Sequence, residues 1–153
     1  MDSLEDSNSF YKSRNLKDSV GPKMIKILVE VIDHCNQRYP TVGDWWFEVD
    51  RNFNEVIHIC VSKIIHKGIH QEYMEFAVAL HELVEAILCR YNGVSEYEVT
   101  KFDEEHPEAD EPGALIDAPY FKEHAVATQI EKMLVEQFSF SWEEYDEAVR
   151  DCA

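Results

Sequence analysis

Three ionisable side chains, His81, Glu82 and Glu85, interrupt a stretch of chain that is otherwise built for burial. Phe76-Ala77-Val78-Ala79-Leu80 runs up to them and Ala86-Ile87-Leu88 follows. Burying charge is costly unless the charge is paired or binds a metal. The stretch reads as one long helix from about Gln71 to Tyr91, stopped by Asn92-Gly93 as by a left-handed cap. On such a helix His81 and Glu85, four apart, project from one face one turn apart. The fold must therefore supply this face with partners, with a metal ion, or with both.

The rest of the chain is read around that helix. Residues 1 to about 20 are polar and aperiodic, and are expected to form a mobile tail ahead of a single domain over 21–153. Met24, Ile27, Leu28, Val31, Ile32 and Cys35 recur at three- and four-residue spacing, which predicts a helix from Gly21-Pro22 to about Arg38. Trp45 to Val49 and Val56 to Val61 are aromatic or β-branched runs separated by turn-prone Asp and Asn, and predict a β-hairpin. Its second strand would turn Val56, His58 and Cys60 to one face and Ile57, Ile59 and Val61 to the other. Residues 94–118 are acidic and carry Pro107, Pro112 and Gly113, and read as an irregular loop. A further helix is expected from Pro119 to about Gln137. A last short one is expected over Trp142 to Val149, with Ser141 and Glu144 spaced as a capping box. The expected fold class is α+β: a small antiparallel sheet packed against the motif helix and two or three further helices.

Charge narrows the function. The 153 residues include 31 acidic and 14 basic side chains, for a net charge of −17. A surface this negative repels phosphate backbones and anionic membranes, so neither nucleic acid nor membrane is an expected partner. A cation, or a basic peptide or protein, suits it better. No apolar stretch approaches the roughly 18–20 residues of a membrane span. The first residues show no basic stretch followed by an apolar run, so no secretory leader is expected. Cys35, Cys60, Cys89 and Cys152 form no Cys-x-x-Cys, and Cys60 and Cys89 sit in apolar contexts as small core residues. A reducing, cytoplasmic location is the expectation.

His81-Glu82-Leu83-Val84-Glu85 resembles the His-Glu-x-x-His motif of zinc hydrolases, with Glu in place of the second His. With the hairpin before it and a helix after it, residues 22–137 resemble the compact, gluzincin-type zincin metallopeptidases. The His-Glu-x-x-Glu-Ala stretch followed by Ala-Pro-Tyr and a His is also similar to uncharacterised phage and prophage proteins. The zincin resemblance implies a metal held by His81, Glu85 and a downstream ligand, for which His124 is the candidate. That set restores two His and one Glu in a different order. It further implies Glu82 as general base, Tyr120 as a donor to a developing oxyanion, and Glu131 as either a hydrogen-bond partner of a ligating His or an alternative ligand. Zn²⁺ is the expected ion, with Mn²⁺ allowed by the extra carboxylate. The implied activity is metal-dependent hydrolysis of a peptide or protein.

Other readings stand beside this one. The chain could keep the scaffold without catalysis and bind a basic partner. It could also be a Mg²⁺-dependent nucleotide pyrophosphatase that uses Glu82 and Glu85. In the plainest account His81 and Glu85 form a helical pair worth about 0.2–0.5 kcal/mol, Glu82 faces water and His124 is a surface residue. His66 and His70 flank Gly68 and are expected to hold no metal. His34, His58 and His106 read as structural or solvated. Trp45 and Trp46 read as hairpin packing.

Overall fold

The structure is a computed structural model that describes residues 24–68 and 70–152. The expected N-terminal tail, 1–20, lies outside the described residues. The fold is α+β, with a three-stranded mixed sheet and four α-helices among the described residues.

The first strand, β1 (Ile25–Ile32), replaces the helix expected there. Its apolar residues fit a helical period, but Ile25, Ile27, Val29 and Val31 also alternate, and all four are β-branched. Short apolar runs satisfy both periods, and β-branching tips them toward strand when a partner is available. The partner is β3 (Glu55–Ser62), which β1 joins in parallel, with Ile27 opposite Ile57 and Val31 opposite Val61. A single-turn 3-10 helix over His34–Asn36 follows.

The hairpin forms as expected: β2 (Gly43–Val49) pairs antiparallel with β3, with Trp45 opposite Ile59. Asp50 holds its turn, Oδ1 accepting from the backbone N–H of Asn52 and Asn54 at 2.8 and 2.9 Å. The strand order is β1-β3-β2, so the sheet is mixed rather than antiparallel. The parallel pair comes from β1, the element for which a helix was expected. Ile57, Ile59 and Val61 are buried, and so are Val56 and Cys60 of the opposite face, so this central strand is covered on both sides.

The motif helix, α1 (Gln71–Asn92), packs on β3 and β2. Met74, Ala77, Val78, His81, Glu85 and Cys89 are buried along it at three- and four-residue spacing. It ends at Gly93, whose φ of 78° lies in the left-handed region, and the Val94 N–H returns to the Cys89 carbonyl at 2.8 Å.

The acidic segment is not one loop. Residues Glu96–Glu105 form α2, closed at its start by a full capping box between Ser95 and Glu98. Its apolar anchor is Val99, which is buried. A 3-10 turn over Pro112–Ala114 leads to α3 (Phe121–Val135), so Pro119 precedes the helix rather than occupying its first turn. The last helix, α4 (Trp142–Arg150), is capped by the Ser141 hydroxyl accepting from the Glu144 N–H at 3.1 Å. No helix among the described residues is long and apolar enough to cross a membrane.

Candidate metal centre

The site sits between α1 and α3, which pack side by side, with α1 resting in turn on β3 and β2. Helix α1 supplies His81, Glu82 and Glu85. Helix α3 supplies His124 from its first turn and Glu131 seven residues later, on the same face.

His81 Nε2, His124 Nδ1 and Glu85 Oε2 converge. The two nitrogens lie 3.2 Å apart, His124 Nδ1 lies 3.0 Å from Glu85 Oε2, and His81 Nε2 lies 3.4 Å from that oxygen. A tetrahedral ion with bonds of 2.0–2.1 Å separates its ligand atoms by about 3.3 Å. The three atoms therefore already form one face of such a tetrahedron, and the cleft side is left for a fourth ligand. Among the described residues these three are the group of His, Cys, Asp and Glu close enough to hold a metal.

Two of the three candidate ligands, His81 and Glu85, are held from behind by hydrogen bonds, and His124 by packing. His81 Nδ1 donates to Glu131 Oε2 at 2.9 Å, which leaves Nε2 facing the other two ligands. Glu131 in turn accepts from the hydroxyl of Tyr145, a wholly buried residue of α4. Trp45 Nε1–H on β2 donates to Glu85 Oε1 at 3.0 Å, so Oε2 alone points at the histidines. His124 rests against Gly113, where a Cβ would come within 2.6 Å of its ring. Glu82 lies over Gly43 of β2, where any side chain would run into its carboxylate.

The electrostatics favour a cation. Glu82, Glu85 and Glu131 surround two imidazoles, with Glu111 3.6 Å from His124 Nε2, a charge neighbour beyond hydrogen-bond length. Burial disfavours the charged imidazole of His81, but its bonds to Glu131 and Glu85 outweigh this and raise it well above its ordinary value. For His124 burial again opposes, and Glu111 and Glu85 lift it to about 9. Burial would raise Glu85, but His124 and His81 hold it down to about 2. Burial and the charge of Glu85 push Glu82 well above the usual carboxylate range. Both imidazoles are thus drawn toward the charged form, and a bound divalent ion would have to displace their protons.

The site opens on a cleft of about 700 Å³ lined on one side by Tyr39 to Trp45 and on the other by α2 and the segment before α3. Tyr120 is buried beside His124, their rings 6.0 Å apart and edge to face. Its hydroxyl donates to Asp103 of α2, which also accepts from Tyr39 at 3.0 Å. The oxyanion donor expected from the sequence is therefore engaged by a carboxylate. Burial raises Asp103 to about 6 against the pull of both tyrosines.

The other histidines do not join the ligand group, though His34 and His106 line the same cleft. His58 stacks on Trp46 at 4.9 Å and meets Glu48. His34 bonds Ser62, His66 pairs with Glu144, and His106 bonds the Phe102 carbonyl. Sequence reasoning missed Trp45, Glu111, Gly113 and Tyr145 as supports of the site. Of these only Gly113, in Glu111-Pro112-Gly113 ahead of His124, carried any local signal. No family model, curated protein or solved structure matches the chain.

Proposed function

We infer that this chain is a metal-dependent hydrolase, zincin-like in using a His-Glu motif helix, with His81, Glu85 and His124 as ligands. The single observation that carries the reading is the triangle of their three ligand atoms at tetrahedral spacing, with His81 and Glu85 each anchored through its other polar atom. Two imidazoles and one carboxylate suit Zn²⁺ better than Mg²⁺, which prefers oxygen. This supports a zinc site over a pyrophosphatase site built on Glu82 and Glu85. Mn²⁺ is the alternative ion.

A bound zinc ion would supply Lewis acidity, bringing the pKa of a water in its open position to about 7. Glu82 would be the general base. It follows His81 directly, faces the cleft beside Gly43 and lies where burial and the charge of Glu85 raise its carboxyl well above the usual range, which makes it a better proton acceptor than an exposed carboxylate. A neighbouring divalent charge would lower it from its metal-free value. The acidic cleft suits a peptide or protein carrying positive charge.

The second reading is a metal-holding interaction domain without catalysis. The bond from Tyr120 to Asp103 supports it, since it occupies a group that could otherwise stabilise an oxyanion. Glu82→Gln separates the two. In a hydrolase the variant keeps about one metal per chain and loses peptide cleavage by at least about 100-fold, the usual scale of a general base. A metal-loaded wild type that cleaves no basic peptide, and binds one as well as Glu82→Gln does, would favour the second.

A further inference from the structure

Strand β1 lies at the opposite edge of the sheet from β2 and the metal site. It is apolar yet uncovered among the described residues: Ile25, Ile27, Leu28, Val29 and Val31 are between 44% and 62% exposed. By register Ile27, Val29 and Val31 share the face of Ile57, Ile59 and Val61, which are buried. The core face of the sheet therefore continues onto β1 beyond the cover of α1, which packs on β3 and β2. Long apolar edges of this kind are templates for strand pairing.

The ladder shows which groups are on offer. The Ile32 carbonyl accepts from the Lys63 N–H at 2.7 Å, on the β3 side. Backbone direction alternates along a strand, so Ile25, Ile27, Val29 and Val31 aim their N–H and C=O at the outer edge. The outward face away from α1 carries Lys26, Leu28 and Glu30. Two charges of opposite sign thus stand symmetrically about Leu28.

We propose that β1 is a homodimer edge, pairing antiparallel with β1 of a second copy about a twofold axis at Leu28. In this register Ile25 meets Val31 and Ile27 meets Val29 of the other copy as hydrogen-bonded pairs, giving about eight backbone bonds. Lys26 meets Glu30 twice in the closer, non-hydrogen-bonded positions, where opposite charges attract. A shift of two residues either way sets each charge against an apolar residue. A shift of one joins the inner face of one sheet to the outer face of the other. Lys26 also meets Asp50 of its own chain and would lie between two carboxylates. The result is a continuous six-stranded sheet with both metal sites at its outer edges and both clefts open. One strand per copy is a small interface, so the dimer is reversible at micromolar concentration.

Sedimentation equilibrium of the full chain at roughly 100 µM, above that range, tests this. Wild type should weigh twice the 17.9 kDa of one chain. Ile27→Pro removes an outward N–H while sparing the β1–β3 ladder, and should be a monomer with an unchanged far-UV spectrum. Glu30→Lys should shift the protein to monomer by setting Lys against Lys, and Lys26→Glu with Glu30→Lys should restore the dimer. Hydrogen exchange on the full chain gives a second readout: the Ile27 and Val29 amides should lose protection on dilution. A single-chain mass at all concentrations would overturn the proposal, as would a dimer that survives Ile27→Pro or is indifferent to Glu30→Lys. Protection of those amides that dilution does not change would overturn it too, because the edge would then be covered from within its own chain.

Discussion

Glu85 shows how one residue is assigned its task by its neighbours. Trp45 takes one carboxylate oxygen and the two histidines face the other. Trp45→Phe keeps the ring and removes the donor, and is expected to weaken zinc binding about 10–100-fold with the fold intact. Competition against a chromophoric chelator measures this; unchanged affinity would reduce Trp45 to packing. Gly113→Ala should also displace zinc, because its Cβ would press on the His124 ring.

The titration of these groups gives a further expectation. His124 is raised from 6.5 to about 9, so in metal-free protein its stabilisation is complete below pH 6.5 and is lost as pH rises through 9. Glu85 is lowered from 4.5 to about 2, so its contribution is present above pH 4.5 and lost as pH falls toward 2. Glu82, raised by burial and by Glu85, adds to the loss at rising pH. Metal-free protein should thus be most stable on the acidic side of neutrality, as urea midpoints across pH would record. Zinc should offset the alkaline loss by replacing the histidine protons. His124, which the fold brings to His81 and Glu85, was a candidate only through the family resemblance, while the pairing of His81 with Glu85 was legible from their spacing. Trp45, Tyr145 and Glu111 were not, because their roles arise from contacts 40, 14 and 13 residues apart in sequence that no local pattern encodes.

Elements were legible where one signal dominated. Helix α1 has a long 3.6-residue period and a glycine stop, and its extent was readable to within a residue. The β2–β3 hairpin has β-branched and aromatic runs about a polar turn. Strand β1 failed because Ile-Lys-Ile-Leu-Val-Glu-Val-Ile satisfies both periods, and only its parallel pairing with β3 decides between them. Helix α2 failed for a different reason. Its acidic composition masked a local signal, Ser95 with Glu98, of the same kind that identified α4. The end of α1 is the element most exposed to a single change. Gly93→Ala places a Cβ at φ 78° and should cost about 1 kcal/mol. A lower urea midpoint with unchanged zinc affinity is the expected result, since Gly93 lies two turns beyond Glu85.

At the scale of the molecule, part of a net charge of −17 falls on the cleft, where Asp44, Glu85, Asp103 and Glu111 line the walls beside His81 and His124. The α+β architecture explains how: the sheet supports the motif helix from one side, α3 completes the ligand set from the other, and α4 locks Glu131 through Tyr145. Removing metal should therefore loosen more than the site. Chelation is expected to lower the melting temperature by several degrees, with excess zinc at 100 times its dissociation constant returning about 2.7 kcal/mol. Calorimetry with and without chelator checks this.

The most direct test of the metal centre is elemental analysis of protein purified without a metal-chelating tag, beside His81→Ala and His124→Ala. About one zinc or manganese per chain, lost in both variants while their far-UV spectra stay unchanged, is the predicted result. No metal after reconstitution with either ion, or a full equivalent kept by the folded variants, would contradict it.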